Sequence, residues 1–377
     1  MVATFLICVA YALAGTLYAP RVDSLVAFAF IGCSSAPLLL AARKSLGLPK
    51  VLHPTPGALF FSALITAGMA NLAWIALGLE RSPLELLSPE GFLLTAAAAT
   101  AKRYQDEGAS GNPILLALSL FLVYRVGGAS NRLRVWQQAV AFLPLLLYTA
   151  LSTEKWPMFL SGAFYIAGLF AAFNERQALR RMATVVALFV FIGTVVAGVA
   201  MFLRGFDGDV LELPAQLLHY VLAPFPAFGS WLLSSASDQC CSGGTYTFIG
   251  LANQLGLVRR EAGVFPENFS IYGQETNIYS AWRYLVQDFS IVGPVLINTG
   301  AALLYLKCLE RSYFAAARAL TNMLILSAVM SLNVTPFVHN SVALAAMLAL
   351  AYSALCGMSR RSRTLHRLYE QTRIASL

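Results

Sequence analysis

The chain is short of charge. Only 12% of its 377 residues are Asp, Glu, Lys or Arg, about half of what a soluble domain carries. Hydrophobic residues make up 58% and the mean hydropathy is +0.68, more apolar material than one buried core of this length needs. The shortage therefore excludes an ordinary water-soluble design. Phosphate-cradling glycine patterns are missing as well. No GxxxxGK[ST] occurs and no GxGxxG follows a strand, which argues against ATP-driven transport by this chain alone. The six cysteines show no metal spacing. Cys8, Cys33, Cys308 and Cys356 sit in or beside apolar runs, and the neighbours Cys240 and Cys241 make a poor disulfide pair. No metal and no cofactor is expected. Strand-like alternation over about ten residues, the mark of a membrane barrel, is missing too. So is an internal repeat of the kind many transporters carry. Met1–Tyr18 has no basic leading region and reads as a first span rather than a cleaved signal.

What the chain does have is long apolar runs. Ten of them approach the length that crosses about 30 Å of hydrocarbon as a helix: Val2–Tyr18, Ser24–Ala42, Gly57–Leu79, Asn112–Val126, Val135–Leu151, Trp156–Phe173, Ala183–Leu203, Phe289–Lys307, Ala319–Thr335 and Asn340–Met358. The expected fold is an all-α polytopic membrane protein, one integral membrane domain over residues 1–377. Charge sets its orientation. Segments 43–50, 125–134, 175–181, 307–318 and 360–373 hold 17 of the 26 basic residues and only three of the 18 acids. Basic residues are retained in the cytoplasm, so these five segments and both termini are expected inside. The net charge of +8 then reports topology; dispersed over short loops, it points to anionic lipid and not to nucleic acid.

Two outer segments remain. Residues 80–111 hold a helix over Gly91–Lys102 that is too short to span and is expected at the interface. Residues 204–288 form the large outer loop. Within it Pro224 and Pro226 interrupt an apolar stretch, since a helix cannot run unbroken through them. The prediction is two short helices, Pro214–Ala223 and Phe228–Ser234. Asp207 and Asp209 read as a turn rather than a calcium loop.

The ionisable groups of the spans gather at this outer boundary: Lys155, Arg204, Arg283, Asp288 and His339, with His219 and Glu275 in the loop. Three cations near one end of a helical bundle suit a diphosphate, which arginine grips with a fork and lysine as a point charge. Each also has a plainer reading. Arg204 and Arg283 can snorkel among interface aromatics such as Trp282 and Tyr284, Lys155 can pair with Glu154, and His339 can sit at a helix start capped by Asn340 or Ser341. Glu275 and Asp288 are the acids expected nearest Arg283.

The late part of this loop, Asn277-Ile278-Tyr279-Ser280 through Trp282-Arg283-Tyr284 to Gln287-Asp288-Phe289-Ser290 with Gly293 following, resembles the O-antigen and oligosaccharide repeat-unit polymerases, the Wzy family. Ser152-Thr153-Glu154-Lys155 is similar to that family's serine–lysine/arginine turn, and His219-Tyr220 with Pro224-Phe225-Pro226 to the start of its large loop. Ser290 stands where those proteins commonly have glycine, and Ser280 where they commonly have threonine. The layout, ten or more spans and one large late outer loop, is similar along nearly the whole chain. The resemblance implies an enzyme of the bacterial inner membrane with its site facing the periplasm. Its substrates would be undecaprenyl-diphosphate-linked oligosaccharides, with a chain-length regulator protein as a further partner. A hydroxyl of one lipid-linked repeat unit would attack the anomeric carbon of the growing chain, and lipid diphosphate would leave without metal help. Arg204, Arg283 and Lys155 would hold the diphosphate, with His219 beside them. Tyr279, Trp282 and Tyr284 would face sugars. His339, Glu275 or Asp288 would act as base. Val338-His339-Asn340-Ser341 is similar to the O-antigen ligases, which use lipid A-core as acceptor, so that alternative stays open. A lipid-linked glycan transporter is the non-enzymatic one, and the charge-free middles of the spans count against it.

Overall fold

Long apolar runs satisfy their backbone groups internally, and the computed structural model is helical almost throughout. It describes residues 1–41, 55–104, 111–152, 156–173, 176–184, 187, 213–235, 241–259, 265, 267–276, 279–311, 313–331 and 335–356. The helices are α1 (Val2–Tyr18), α2 (Val22–Ser35, continued by a 3-10 turn over Ala36–Ala41), α3 (Ala58–Gly78), α4 (Pro89–Tyr104), α5 (Pro113–Gly128), α6 (Val135–Ser152) and α7 (Trp156–Ala172). They continue with α8 (Leu213–Leu222), α9 (Pro224–Ser234), α10 (Ile249–Gln254), α11 (Ala281–Phe289), α12 (Gly293–Glu310), α13 (Phe314–Met330) and α14 (Asn340–Cys356). Helix occupies nine of the ten expected spans; Ala183–Leu203 lies almost wholly outside the described residues. Among the described residues, three helices can cross a membrane by length and composition: Val22–Ala41, α3 and α6. The bent pair α11–α12 makes a fourth if counted as one.

The helical framework agrees with the all-α expectation; among the described residues it carries one small antiparallel hairpin, β1 (Phe269–Ile271) with β2 (Gln274–Thr276). Two expectations need correction. The second short loop helix starts at Pro224, not Phe228, because proline is tolerated in the first turn, where its missing N–H costs nothing. The eighth span does not begin at Phe289. The chain turns by 98° after that residue, and α12 starts at Gly293.

Close packing depends on residues without bulk. A Cβ on Gly127 of α5 would strike the Tyr165 carbonyl of α7, and one on Gly168 of α7 would strike the Tyr124 carbonyl of α5. Small residues let helix backbones approach this closely, the usual device where water provides no drive between helices. α3 shows the opposite face of the same chemistry. It is apolar all round yet only 28% of its most apolar window is buried, and Leu59 and Leu77 are 88% and 61% exposed. Such a surface suits hydrocarbon.

The two ends of the bundle differ. At one end Arg181 donates to Ser130 Oγ at 3.2 Å, Arg318 donates to the Ala171 carbonyl at 2.7 Å, and Arg125 stacks 3.8 Å from the Tyr352 ring. At the other, the turn between α1 and α2 carries the hairpin. Tyr272 Oη donates to the Tyr18 carbonyl at 3.1 Å, and Ala19, Ala223 and Ile271 share one small core.

Candidate functional site

α11 is the element on which the site is built. Its face of Ala281, Trp282, Tyr284, Leu285 and Val286 is drawn into the core, and its start is pinned from two sides. Ser280 is extended (φ −65°, ψ 160°) and donates its N–H to the Pro224 carbonyl at 3.3 Å. The Ala281 N–H donates to the Ser331 carbonyl at 3.1 Å. This holds Arg283 inside, 0% exposed. Its Nη2 donates to Glu267 Oε2 at 2.7 Å. The guanidinium carbon lies 3.8 Å from the Phe265 ring centre, 4.1 Å from Tyr279 and 4.8 Å from Trp231. Aromatic faces attract a cation by about 0.5–2 kcal/mol each, which helps to offset burying it. They do not replace hydrogen bonds. Arg283 Nε and Nη1 are buried and have no hydrogen-bond partner among the described residues, and each such donor costs about 1–3 kcal/mol. A charged fork walled by rings, with two donors unmatched among the described residues, has the chemistry to bind an oxyanion.

Glu267 corrects the sequence reading, which put Glu275 and Asp288 nearest this arginine. Asp288 is 3% exposed and faces elsewhere: Oδ1 and Oδ2 accept the backbone N–H groups of Tyr246 and Thr247 at 3.1 and 2.5 Å. It anchors the 243–248 turn and α10 to the end of α11. The same turn is held by Thr335, whose Oγ1 donates to the Thr247 carbonyl at 3.0 Å. Glu275 is exposed on β2 and accepts from Asn268 Nδ2 at 3.2 Å.

His339 stands at the start of α14, where its carbonyl accepts the Ala343 N–H at 3.0 Å. Asn340, expected as a cap, lies in the helix, and its amide donates to Gln254 of α10 at 3.3 Å. Gly250 of α10 is pressed so closely on Val338 and Asn340 that a Cβ there would lie 2.6 Å from the Val338 carbonyl. The His339 segment is thus joined through α10 to the helix that carries Arg283. Burial pushes the His339 imidazole below its ordinary range, which favours its neutral form. His219, 7% exposed, lies with Nδ1 2.9 Å from Tyr18 Oη. Burial lowers its pKa as well.

The aromatic residues divide. Tyr279 walls Arg283 and donates to the Glu267 carbonyl at 3.3 Å. Trp282 is buried against Phe30 of α2, with ring centres 6.5 Å apart, and Tyr284 against Phe265 at 4.9 Å. Arg204 and Lys155 lie outside the described residues, as do Asp207 and Asp209. Phe265 and Glu267 escaped the sequence reading. The one available signal was an acid in an aromatic–proline stretch, Phe265-Pro266-Glu267, and no spacing rule connects it to an arginine 16 residues on.

The corner after α11 explains the Ser290 position. Ser290 has φ +65° and ψ 176°, a region that belongs to glycine and costs other residues about 1–3 kcal/mol. Gly293 follows, where a Cβ would collide with Phe289. Ser290→Gly is expected to raise the melting temperature of the purified protein, because the relieved strain outweighs glycine's extra chain entropy of about 0.5–1 kcal/mol. A lowered melting temperature would show that the Ser290 hydroxyl, and not the backbone, matters at this corner.

No protein-family model, no curated protein and no solved structure matches this chain.

Proposed function

We propose that this protein is a bacterial inner-membrane polymerase of polyprenyl-diphosphate-linked oligosaccharide repeat units, with ten spans, both termini in the cytoplasm and its site on the periplasmic side. The observation that carries the reading is Arg283: fully buried, ring-walled, with Nε and Nη1 unsatisfied among the described residues. The five basic segments support the orientation, and two of their contacts fit it. Arg181 of one such segment bonds to Ser130 of another, and Met1 shares a core with Leu38, Tyr305 and Ala317. With α12 taken as a span, α11, bent 98° from it, runs across the membrane normal at the periplasmic end in this reading.

In the reaction a hydroxyl of the acceptor repeat unit attacks the anomeric carbon of the donor glycan. The new glycosidic bond forms as the bond from that carbon to the diphosphate oxygen breaks. Lipid diphosphate leaves with the electron pair, and its growing charge needs donors held in place beforehand. Arg283 supplies them, joined in this reading by Arg204 and Lys155. The hydroxyl proton passes to a base. His339 and Glu275 are the candidates; Asp288 has both carboxylate oxygens engaged by backbone N–H groups. Tyr279 and Trp231 are ring faces beside the leaving group, and a chain-length regulator is the expected protein partner.

The test is deletion and complementation in the source bacterium, read as a surface-polysaccharide ladder. Loss of the ladder with one repeat unit still on lipid A-core supports the polymerase. Loss of every repeat unit from the core, with lipid-linked polymer accumulating, replaces it by a ligase. An unchanged ladder overturns both and returns the transporter reading.

A further inference from the structure

We propose that Glu267 is an internal competitor for the anion site of Arg283, and that this competition makes the site select diphosphates over single phosphate groups. The inference rests on the diphosphate reading of Arg283 above and adds to it the residue that sets its selectivity.

The Glu267 carboxylate already stands where an anion would. Its Oε2 takes Nη2 of the guanidinium at 2.7 Å and leaves Nε and Nη1 without hydrogen bonds among the described residues. A carboxylate can grip an arginine with both oxygens; here the hydrogen bond runs from Nη2 to Oε2, and Nε and Nη1 are left over among the described residues. The four groups around the guanidinium also differ in access. Phe265, Tyr279 and Trp231 are 2%, 3% and 4% exposed, whereas the Glu267 side chain is 38% exposed. Of these four described groups Glu267 is the most exposed, and it can swing out without opening the ring-lined core.

An incoming anion must displace a carboxylate tethered to the same chain, whose local concentration is high. A single phosphate forks onto Nη2 and one neighbouring donor at most. A diphosphate brings two linked groups, enough to take Nη2 and engage both Nε and Nη1. Only the second exchange satisfies both of the donors that have no hydrogen bond among the described residues. Glu267 thus excludes inorganic phosphate and sugar monophosphates from a buried cation that would otherwise attract any of them.

The experiment uses the full-length protein in detergent, with inorganic pyrophosphate and inorganic phosphate as probes. Tryptophan fluorescence reports binding, because Trp231 lies 4.8 Å from the guanidinium. The wild type is expected to respond to pyrophosphate at much lower concentration than to phosphate. In Glu267→Gln, which keeps the shape and removes the charge, phosphate binding should tighten by about fivefold or more and the ratio between the two ligands should shrink; a part-exposed ion pair is worth about 1 kcal/mol. Glu267→Asp, with its charge drawn back from Arg283, should fall between. Melting temperatures show whether each variant is folded. Arg283→Gln should abolish the response to both probes. Unchanged selectivity in a folded Glu267→Gln protein overturns the competitor role, as does weaker binding of both probes. If that result coexists with a ladder that depends on this chain, only Glu267 loses its part. If no protein binds pyrophosphate and deletion leaves the ladder unchanged, the reading beneath it fails.

Discussion

Arg283→Ala is expected to abolish polymer while leaving single repeat units on the lipid A-core. Two effects combine. The substitution removes the fork that meets the leaving diphosphate, and losing one preorganised charge-stabilising donor set costs about 100- to 1,000-fold in turnover. It also leaves a void between Phe265, Tyr279 and Trp231, rings that now close within 3.8–4.8 Å of the guanidinium carbon. The void alone lowers stability, so the decisive variant is Arg283→Lys. It keeps the charge and most of the volume but offers a compact ammonium in place of a planar fork. A Lys variant that expresses and melts like the wild type should still make no ladder. Wild-type chain lengths from either variant would remove Arg283 from the reaction.

The second large effect is expected at Asp288, and it is on stability. Its carboxylate accepts the backbone N–H groups of Tyr246 and Thr247 in a place only 3% exposed. Asp288→Ala strands both donors, at about 1–3 kcal/mol each, and the melting temperature should fall by roughly 5 °C or more. Asp288→Asn retains one carbonyl acceptor but turns an NH₂ toward a backbone N–H, and should fall by a similar amount. The 243–248 turn, α10 and the His339 segment packed on it are the parts that loosen. Were Asp288 the general base, Asp288→Asn would keep the melting temperature and lose turnover. Measuring both on the same preparation separates the two roles.

The helical framework was readable because its signal is local. An apolar run that closes its own hydrogen bonds becomes helix wherever it lies, so nine of the ten expected spans coincide with helices. The break at Pro224 was readable for the same reason, although proline's tolerance in a first turn moved the start of α9 ahead of Phe228. Arg283 stood out as well, since the charge pattern put it on the side expected to hold few basic residues. The acids could not be assigned in that way. Glu275 and Asp288 are nearer to Arg283 in the sequence than Glu267 is, and the fold turned one to solvent and the other to the backbone of residues 246 and 247.

The sequence by itself determined composition-driven properties: helix as the building unit, the apolar surface, the charge asymmetry between loops, and an arginine at residue 283 among aromatic residues. Each depends on residue type and on neighbours within a few turns. The tertiary structure alone decided which carboxylate meets that cation, which rings enclose it, and that His339 is joined to its helix through α10. Those pairings bring together residues 16 to more than 80 positions apart, across a hairpin and a 98° corner. Their partners are chosen by packing and by the need to satisfy buried polar groups, which no local pattern records.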